Sequence, residues 1–132
     1  MRTIVLERKA PVERDMDLIR EVLLKVEADP EMDGYHYKCF DSSDFPGHTN
    51  QQIAYHIEQL IEANLLRGGE GTLDSFSIPI SRLTWSGHEF LDNIKDVGVW
   101  EQVKVRIAGL PSLALPIIAK IAEAEIMKKL GL

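Results

Sequence analysis

Cysteine is nearly absent from this chain of 132 residues, in which Cys39 stands alone. A single thiol excludes an intramolecular disulfide and a zinc site built from several cysteines. Long apolar runs are also missing, since the longest, residues 108–119, is interrupted by two prolines, a glycine and a serine. It is shorter than the roughly 20 residues that span a bilayer, and residues 1–7 hold too short an apolar stretch for a signal peptide. These absences predict a bacterial-type cytoplasmic protein that does not enter a membrane.

Basic charge is scarce too, and the formal net charge is −6. Such a chain has no overall positive field for nucleic acid, so DNA binding would require a local basic patch. With 45% hydrophobic and 27% charged residues the composition is that of a globular protein. We expect one domain over residues 14–132. The leader before it, residues 1–13, either adds a short strand or is poorly ordered.

Motifs that would support catalysis are missing as well. The sequence has no G-x-S-x-G turn, and the glycines of residues 68–71 (GGEG) lack the lysine and hydroxyl residue of a P-loop. A zinc-protease helix has two histidines four residues apart, and residues 88–92 (HEFLD) have only one. Asp92 stands four residues after His88 and could be a second metal ligand, but a third ligand is lacking. Ser86 and Glu89 instead fit a capping box at the start of a helix. We therefore expect a protein that is not an enzyme and binds no metal or cofactor.

Apolar spacing and turn residues predict an α+β domain that is mostly helical. Thr49 is the expected N-cap of the second helix and Ser112 that of the last, while Asn64 suits a left-handed helix end. A turn is expected at Gly98, and Trp100 is assigned to the core. The predicted helices are residues 15 or 17 to about 28, 50–63, 86–94, 100–107 and 113–130; the predicted strands are 35–40, 65–67 and 77–83, with a hairpin tip at 68–75.

Two segments resemble the winged-helix proteins, a variant of the helix-turn-helix plan. Residues 53–66 (IAYHIEQLIEANLL) are similar to the third helix of winged-helix regulators, with Asn64 where that pattern usually has glycine. Residues 83–87 (LTWSG) resemble the "LTxxG" that follows the second wing strand. The predicted element order fits the same arrangement, in which a two-stranded wing is followed by additional C-terminal helices.

Three segments together resemble one family of small uncharacterised bacterial and prophage proteins, known only as a domain of unknown function. They are residues 14–20 (RDMDLIR), 53–56 (IAYH) and 82–92 (RLTWSGHEFLD). The resemblance extends from about residue 14 to the C-terminus. It implies a winged-helix-like fold and a bacterial or prophage origin, and it implies no reaction and no ligand.

A winged helix would place the second predicted helix in the major groove of double-stranded DNA. Asparagine and glutamine suit bidentate contacts with adenine, while threonine, tyrosine and arginine bind phosphates. The residues predicted to contact DNA are Thr49, Asn50, Gln51, Gln52, Tyr55, His56, Gln59 and Arg67.

The charge of the same region opposes that hypothesis. Residues 41–80 contain one basic residue, Arg67, and six acidic residues, a balance of −5. Phosphate contacts supply most non-specific affinity for DNA, so an acidic wing would repel the duplex. Two functions remain open: a DNA-binding or transcription-regulatory module, and a non-catalytic protein-interaction module that uses the acidic helix–wing face or the apolar C-terminal helix. That last helix, with a wide apolar stripe, also offers a surface for a homodimer.

Overall fold

A computed structural model describes residues 12–70, 76–110 and 113–132 of the chain. Over these residues the elements are α1 (Met16–Ala28), α2 (Asn50–Glu62), β1 (Leu66–Gly68), β2 (Ile80–Leu83), α3 (Trp85–Ile94), α4 (Val97–Ile107) and α5 (Leu115–Lys129). The predicted α+β, mostly helical class is confirmed. Most of the predicted leader, most of the hairpin tip and the predicted cap Ser112 lie outside the described residues.

Helix α1 begins and ends where the sequence predicted. The Asp15 carboxylate accepts a hydrogen bond from the Leu18 amide at 3.1 Å, which caps the first turn. The helix ends at Asp29, whose extended backbone precedes Pro30. One face of α1 is buried, and its members are Leu18, Ile19, Val22, Leu23 and Val26. The spacing of three and four residues therefore produced the expected core stripe.

The strand predicted at residues 35–40 is reduced to a single antiparallel bridge between Lys38 and Ile80. Immediately before it, the Asp33 carboxylate accepts hydrogen bonds from the amides of Tyr35 and His36, which bends the chain out of an extended path. The prediction of a regular strand was therefore wrong. The chain then passes through turns to α2, and the edge-to-face pair Phe40 and Phe45 anchors this connection in the core.

Strands β1 and β2 form the predicted antiparallel hairpin. Leu66 pairs with Leu83 and Arg67 with Arg82, and an irregularity follows Arg67. The Gly69 amide extends the ladder by donating to the Pro79 carbonyl at 2.9 Å. Regular pairing in the second strand starts at residue 80 rather than 77.

The N-cap of helix α3 is Thr84 and not the predicted Ser86, so the helix starts at Trp85. The Thr84 hydroxyl accepts from the Gly87 amide at 3.0 Å and donates to the Asn64 carbonyl at 2.6 Å. The Glu89 carboxylate accepts from the Trp85 indole N–H, so the predicted capping box of Ser86 and Glu89 does not form.

Gly87 lies where α3 touches the chain entering β1. A Cβ atom at this position would stand 2.0 Å from the Leu65 carbonyl oxygen, which also accepts a hydrogen bond from the Thr84 amide at 3.0 Å. The threonine and glycine of the LTxxG segment thus have two linked tasks: Thr84 caps the helix, and Gly87 lets it approach the hairpin.

Helices α4 and α5 complete the described fold. Helix α4 is capped by Asp96, and Gly98 is its second residue. The prediction of a chain turn at Gly98 was therefore wrong. Helix α5 has Pro116 in its first turn, where proline is tolerated. The two helices pack against each other, and α5 also packs against α3.

The core joins all five helices to the hairpin. Trp100 is 2% exposed, and its indole N–H donates to the Asp17 carboxylate at 2.7 Å, which ties α4 to α1. Phe90 and Leu91 of α3 are also buried. No helix of the described residues is long and apolar enough to cross a membrane. The order of helix, bridging segment, helix, hairpin and further helices is compatible with a winged-helix-like fold.

Candidate functional site: the helix–wing face

A capping box fixes the start of α2. The Thr49 hydroxyl accepts from the Gln52 amide at 3.1 Å, and the Gln52 side chain accepts from the Thr49 amide at 2.9 Å. Both side chains therefore satisfy the first turn of the helix. Two residues that were predicted to contact DNA are thus engaged within the fold.

The end of α2 directs the chain into the hairpin. Asn64 has a φ of 61°, the left-handed conformation predicted for it, and the Leu65 amide donates back to the Leu60 carbonyl at 2.9 Å. This reversal places β1 beside the C-terminal half of α2. A cavity of about 530 Å³ lies between them, lined in part by Glu58, Glu62 and Glu70.

The outward ridge of α2 consists of Gln51, Tyr55, Glu58 and Glu62, spaced four, three and four residues apart. Glu70 lines the cavity together with Glu58 and Glu62, and Arg67, which was predicted to contact DNA, is exposed on β1. We call these six residues the helix–wing face. Glu58, Glu62, Arg67 and Glu70 are exposed, so the charge that this face presents to solvent is three carboxylates against one guanidinium.

The remaining predicted DNA contacts divide between exposed and engaged side chains. The Asn50 side chain accepts from the Ser42 amide at 2.7 Å, and the Gln59 amide donates to the Glu62 carboxylate at 3.2 Å. Gln51 and Tyr55 are partly exposed, and Arg67 is exposed. Thr49 and Asn50 are exposed as well, but their side chains are engaged in hydrogen bonds within the fold.

His56 does not face outward, and its assignment to the exposed surface was wrong. It is 1% exposed, and its Nε2 accepts a hydrogen bond from the Asp15 amide at 2.7 Å. Its Nδ1 lies 2.6 Å from the Gln52 carbonyl oxygen. Position 56 falls within the apolar series of Ile53, Ile57 and Leu60, and that position was the signal that the sequence offered for burial.

Burial and hydrogen bonds shift the pKa values of His56 and Asp15. Removal from water lowers the pKa of His56, an effect that the hydrogen bond to Gln52 and the nearby Asp15 carboxylate only partly oppose. Partial burial by itself raises the pKa of Asp15, but hydrogen bonds from the Leu18 amide and His48 outweigh it and leave the pKa below its ordinary value. His48 and Asp15 are 3.3 Å apart between Nε2 and Oδ2. Sequence reasoning did not identify this network.

Several basic side chains tie the fold together. Arg20 donates to the carbonyls of Ile94 and Lys95 at the end of α3, and Lys25 donates to the Asp44 carbonyl. Arg14 donates to the Leu113 carbonyl at 2.9 Å before α5. Arg14 also lines a cavity of about 760 Å³ beside Thr49, Gln51 and Gln52.

The HEFLD segment does not form a metal centre in the described residues. No group of three or more histidine, cysteine, aspartate or glutamate side chains is placed there to hold a metal ion. The His88 ring is about half exposed, and its Nδ1 is 3.8 Å from the Glu27 carboxylate, which also pairs with Lys95. Cys39 is exposed.

An apolar groove separates the end of α2 from α3 and α5. Its volume is about 420 Å³, and Leu65, Phe90 and Leu115 line it together with Glu89 at the rim. Helix α5 buries Ile118 and Ala122 and leaves Ile117 about half exposed. The apolar stripe predicted on the last helix is therefore only partly used by the core.

Comparison with known proteins gives a family without an assigned activity. Residues 13–112 match a family described as "Hypothetical protein (DUF2513)". An "Uncharacterized protein" of Haemophilus influenzae (strain ATCC 51907 / DSM 11121 / KW20 / Rd) is 32% identical over 122 residues, which cover 91% of this chain and 100% of the relative. No solved structure matches the chain.

Proposed function

The chain belongs to the DUF2513 family of hypothetical proteins, and we propose that it is a non-catalytic, winged-helix-like domain that binds a basic segment of a protein partner. The partner would contact the helix–wing face. The observation that carries this proposal is the charge of that face, where Glu58, Glu62 and Glu70 surround the cavity between α2 and the hairpin.

The same face is poorly suited to a nucleic acid. Duplex DNA carries one negative charge per about 1.7 Å of its axis, and affinity depends on lysine and arginine contacts with phosphates. Glu58 and Glu62 stand on the ridge of α2 that would enter the major groove, where they would meet phosphates of like charge. Three of the four amide side chains suited to reading bases, those of Asn50, Gln52 and Gln59, are held in hydrogen bonds within the fold.

A basic protein segment fits the face better. Lysine and arginine side chains would pair with the three carboxylates, and an apolar side chain would cover Ile61, which lines the same cavity. Charged groups at the edge of an interface raise the association rate and select the partner, while the buried centre supplies most of the affinity. The proposed partner is therefore a basic segment with an apolar residue among its charges.

DNA binding is the second candidate, and a specific observation favours it. Gln51, Tyr55 and Arg67 are accessible along the face, and Arg14 lies beside the first turn of α2. Together they would supply two phosphate contacts and two groups able to touch base edges. A transcription-regulatory role would follow from this arrangement.

Comparative capture from a lysate of the native host tests the first candidate. The baits are the wild-type protein, the double variant Glu58→Gln with Glu62→Gln, and the control Glu123→Gln, which changes an exposed carboxylate on α5. We expect a protein that the wild type and the control retain and the double variant loses. Titration with that purified protein should show binding about tenfold weaker for the double variant at low salt.

Two results would reject the proposal. If all three baits retained every captured protein equally, the partners would not bind through the helix–wing face. Retention of genomic DNA fragments by the wild type, with an affinity that falls steeply as salt rises and weakens in Arg67→Ala, would establish the second candidate instead.

A further inference from the structure

Three side chains from separate parts of the chain meet at the start of α1. Asp15 caps α1, His48 lies just before α2, and His56 projects from α2. Asp15 uses both its backbone and its carboxylate here: the amide donates to His56 at 2.7 Å, and Oδ2 is 3.3 Å from Nε2 of His48. The first turn of α1 is thereby attached to α2.

The partners of His56 admit only one protonation state. The Gln52 carbonyl can only accept a hydrogen bond, so Nδ1 must carry a proton. The Asp15 amide can only donate, so Nε2 must present its lone pair. The ring is therefore a neutral imidazole with the proton on Nδ1. A proton added to Nε2 would place two hydrogen-bond donors, the ring N–H and the Asp15 amide, opposite each other.

We propose that His56 is an acid-sensitive latch: proton uptake at Nε2 removes the acceptor for the Asp15 amide and releases the start of α1 from α2. The step is a proton transfer from solvent and breaks only this hydrogen bond. At neutral pH the latch is closed. Burial, which keeps the pKa of His56 below its ordinary value of 6.5, places the opening on the acid side of neutrality.

The groups around His56 determine how the latch responds. From the start of α1, the Asp15 carboxylate favours the protonated ring and Arg14 opposes it; His48 also opposes it. On α2 itself the neighbours are Gln52 and the edge-to-face Tyr55 ring. The Nδ1 of His48 is buried without a hydrogen-bond partner among the described residues, while its Nε2 faces the Asp15 carboxylate.

Opening would act on the N-terminal half of α2. The cavity of about 760 Å³ between the two helix starts is lined by Arg14, Asp15, Gln51 and Gln52. Separation of Asp15 from His56 would widen this cavity and expose the first turn of α2. The latch thus connects solution pH to a surface that adjoins the helix–wing face, and it does not depend on which partner binds there.

Amide hydrogen exchange of Asp15, followed by NMR from pH 7.5 to 5, tests the latch in the full chain. After correction for the intrinsic exchange rate, protection should fall by up to about tenfold per pH unit between pH 6.5 and the His56 pKa. In His56→Gln, whose amide oxygen and nitrogen can replace the two ring contacts without titrating, protection should not depend on pH over this range. His88→Gln, at an exposed histidine of α3, should behave as the wild type.

The nitrogen shifts of the His56 ring provide a second measurement that needs no variant. The loss of Asp15 protection should begin below pH 6.5 and level off at the midpoint of the His56 titration. Persistent protection of Asp15 after His56 has titrated would overturn the proposal, as would an unchanged pH dependence in His56→Gln.

Discussion

Replacement of Gly87 by alanine is the most informative test of the packing between α3 and the hairpin. The new Cβ atom would stand 2.0 Å from the Leu65 carbonyl oxygen and 3.3 Å from its Cα. The obstacle is backbone, so no side-chain rotation relieves it. Helix α3 would have to retreat by more than about 1 Å, as in other overpacked contacts.

The cost can be worked from the contacts at this position. Overpacking costs about 1–3 kcal/mol, and the retreat weakens two hydrogen bonds of Thr84, to Leu65 and Asn64, each worth about 1 kcal/mol. Because alanine favours the helix more than glycine does, the substitution also stabilises α3 by about 1 kcal/mol. The free energy of unfolding should therefore fall by about 2–4 kcal/mol, and Tm by roughly 8–15 °C.

Calorimetry or circular dichroism on purified protein measures this change. The matched control is Gly98→Ala, which also adds a methyl group to the first turn of a helix. Its Cβ would meet only two side-chain atoms: the Asp96 Oδ1 at 3.2 Å, which has to shift by a few tenths of an ångström, and the Lys129 Nζ at 3.7 Å, which is an ordinary contact. We expect the control to keep the wild-type Tm or exceed it. A Gly87→Ala protein with an unchanged Tm would refute the close contact between α3 and Leu65.

Three further predictions concern other parts of the fold. Thr49→Ala removes the capping box that Gln52 completes and should lower the free energy of unfolding by about 1 kcal/mol in urea denaturation. The pKa of His56 is lower in the folded than in the unfolded state, so the unfolded state binds more protons. The contribution of His56 to the free energy of unfolding should therefore be fully present above pH 6.5 and should fall below that pH, by at most about 1.4 kcal/mol per pH unit. His56→Gln should remove this fall. The exposed Ile117 and Met127 on α5 predict a dimer in light scattering, which Ile117→Glu with Met127→Glu should return to a monomer; a monomeric wild type would contradict it.

Local signals in the sequence were sufficient for most helix limits. Asp15, Thr49 and Asn64 took the positions expected of them because capping and left-handed helix ends depend on neighbouring backbone groups. The pairing of β1 with β2 followed from the apolar residues on either side of a glycine-containing turn. Elements defined by short-range hydrogen bonds could thus be predicted from the sequence alone.

Contacts between distant segments explain the errors. Ser86 and Glu89 fit a capping box as a sequence pattern, but Thr84 became the cap because its hydroxyl and amide also bond to Asn64 and Leu65, about twenty residues earlier. Residues 35–40 alternate like a strand, but the Asp33 side chain captures two amides and only Lys38 reaches the hairpin. Pattern reasoning does not include these tertiary partners.

In the candidate site, too, the local features were predictable from the sequence and the contacts between distant segments were not. The acidic balance of residues 41–80 was readable from composition, and the described carboxylates on the helix–wing face agree with it. The burial of His56 was not predicted, because a polar residue on α2 was assigned to the outward side. Its attachment to Asp15 spans 41 residues of sequence and depends on the packing of α1 against α2.

Fluorescence anisotropy with a labelled duplex of mixed sequence, at low and physiological salt, tests the central claim about the helix–wing face most directly. The proteins are the wild type, Glu58→Lys with Glu62→Lys, and the control Glu123→Lys on α5. We predict no binding by the wild type or the control at low salt, and salt-sensitive binding by the face variant, since it gains two phosphate contacts in place of two repulsions. Tight, steeply salt-dependent binding by the wild type would contradict the account and identify a DNA-binding protein.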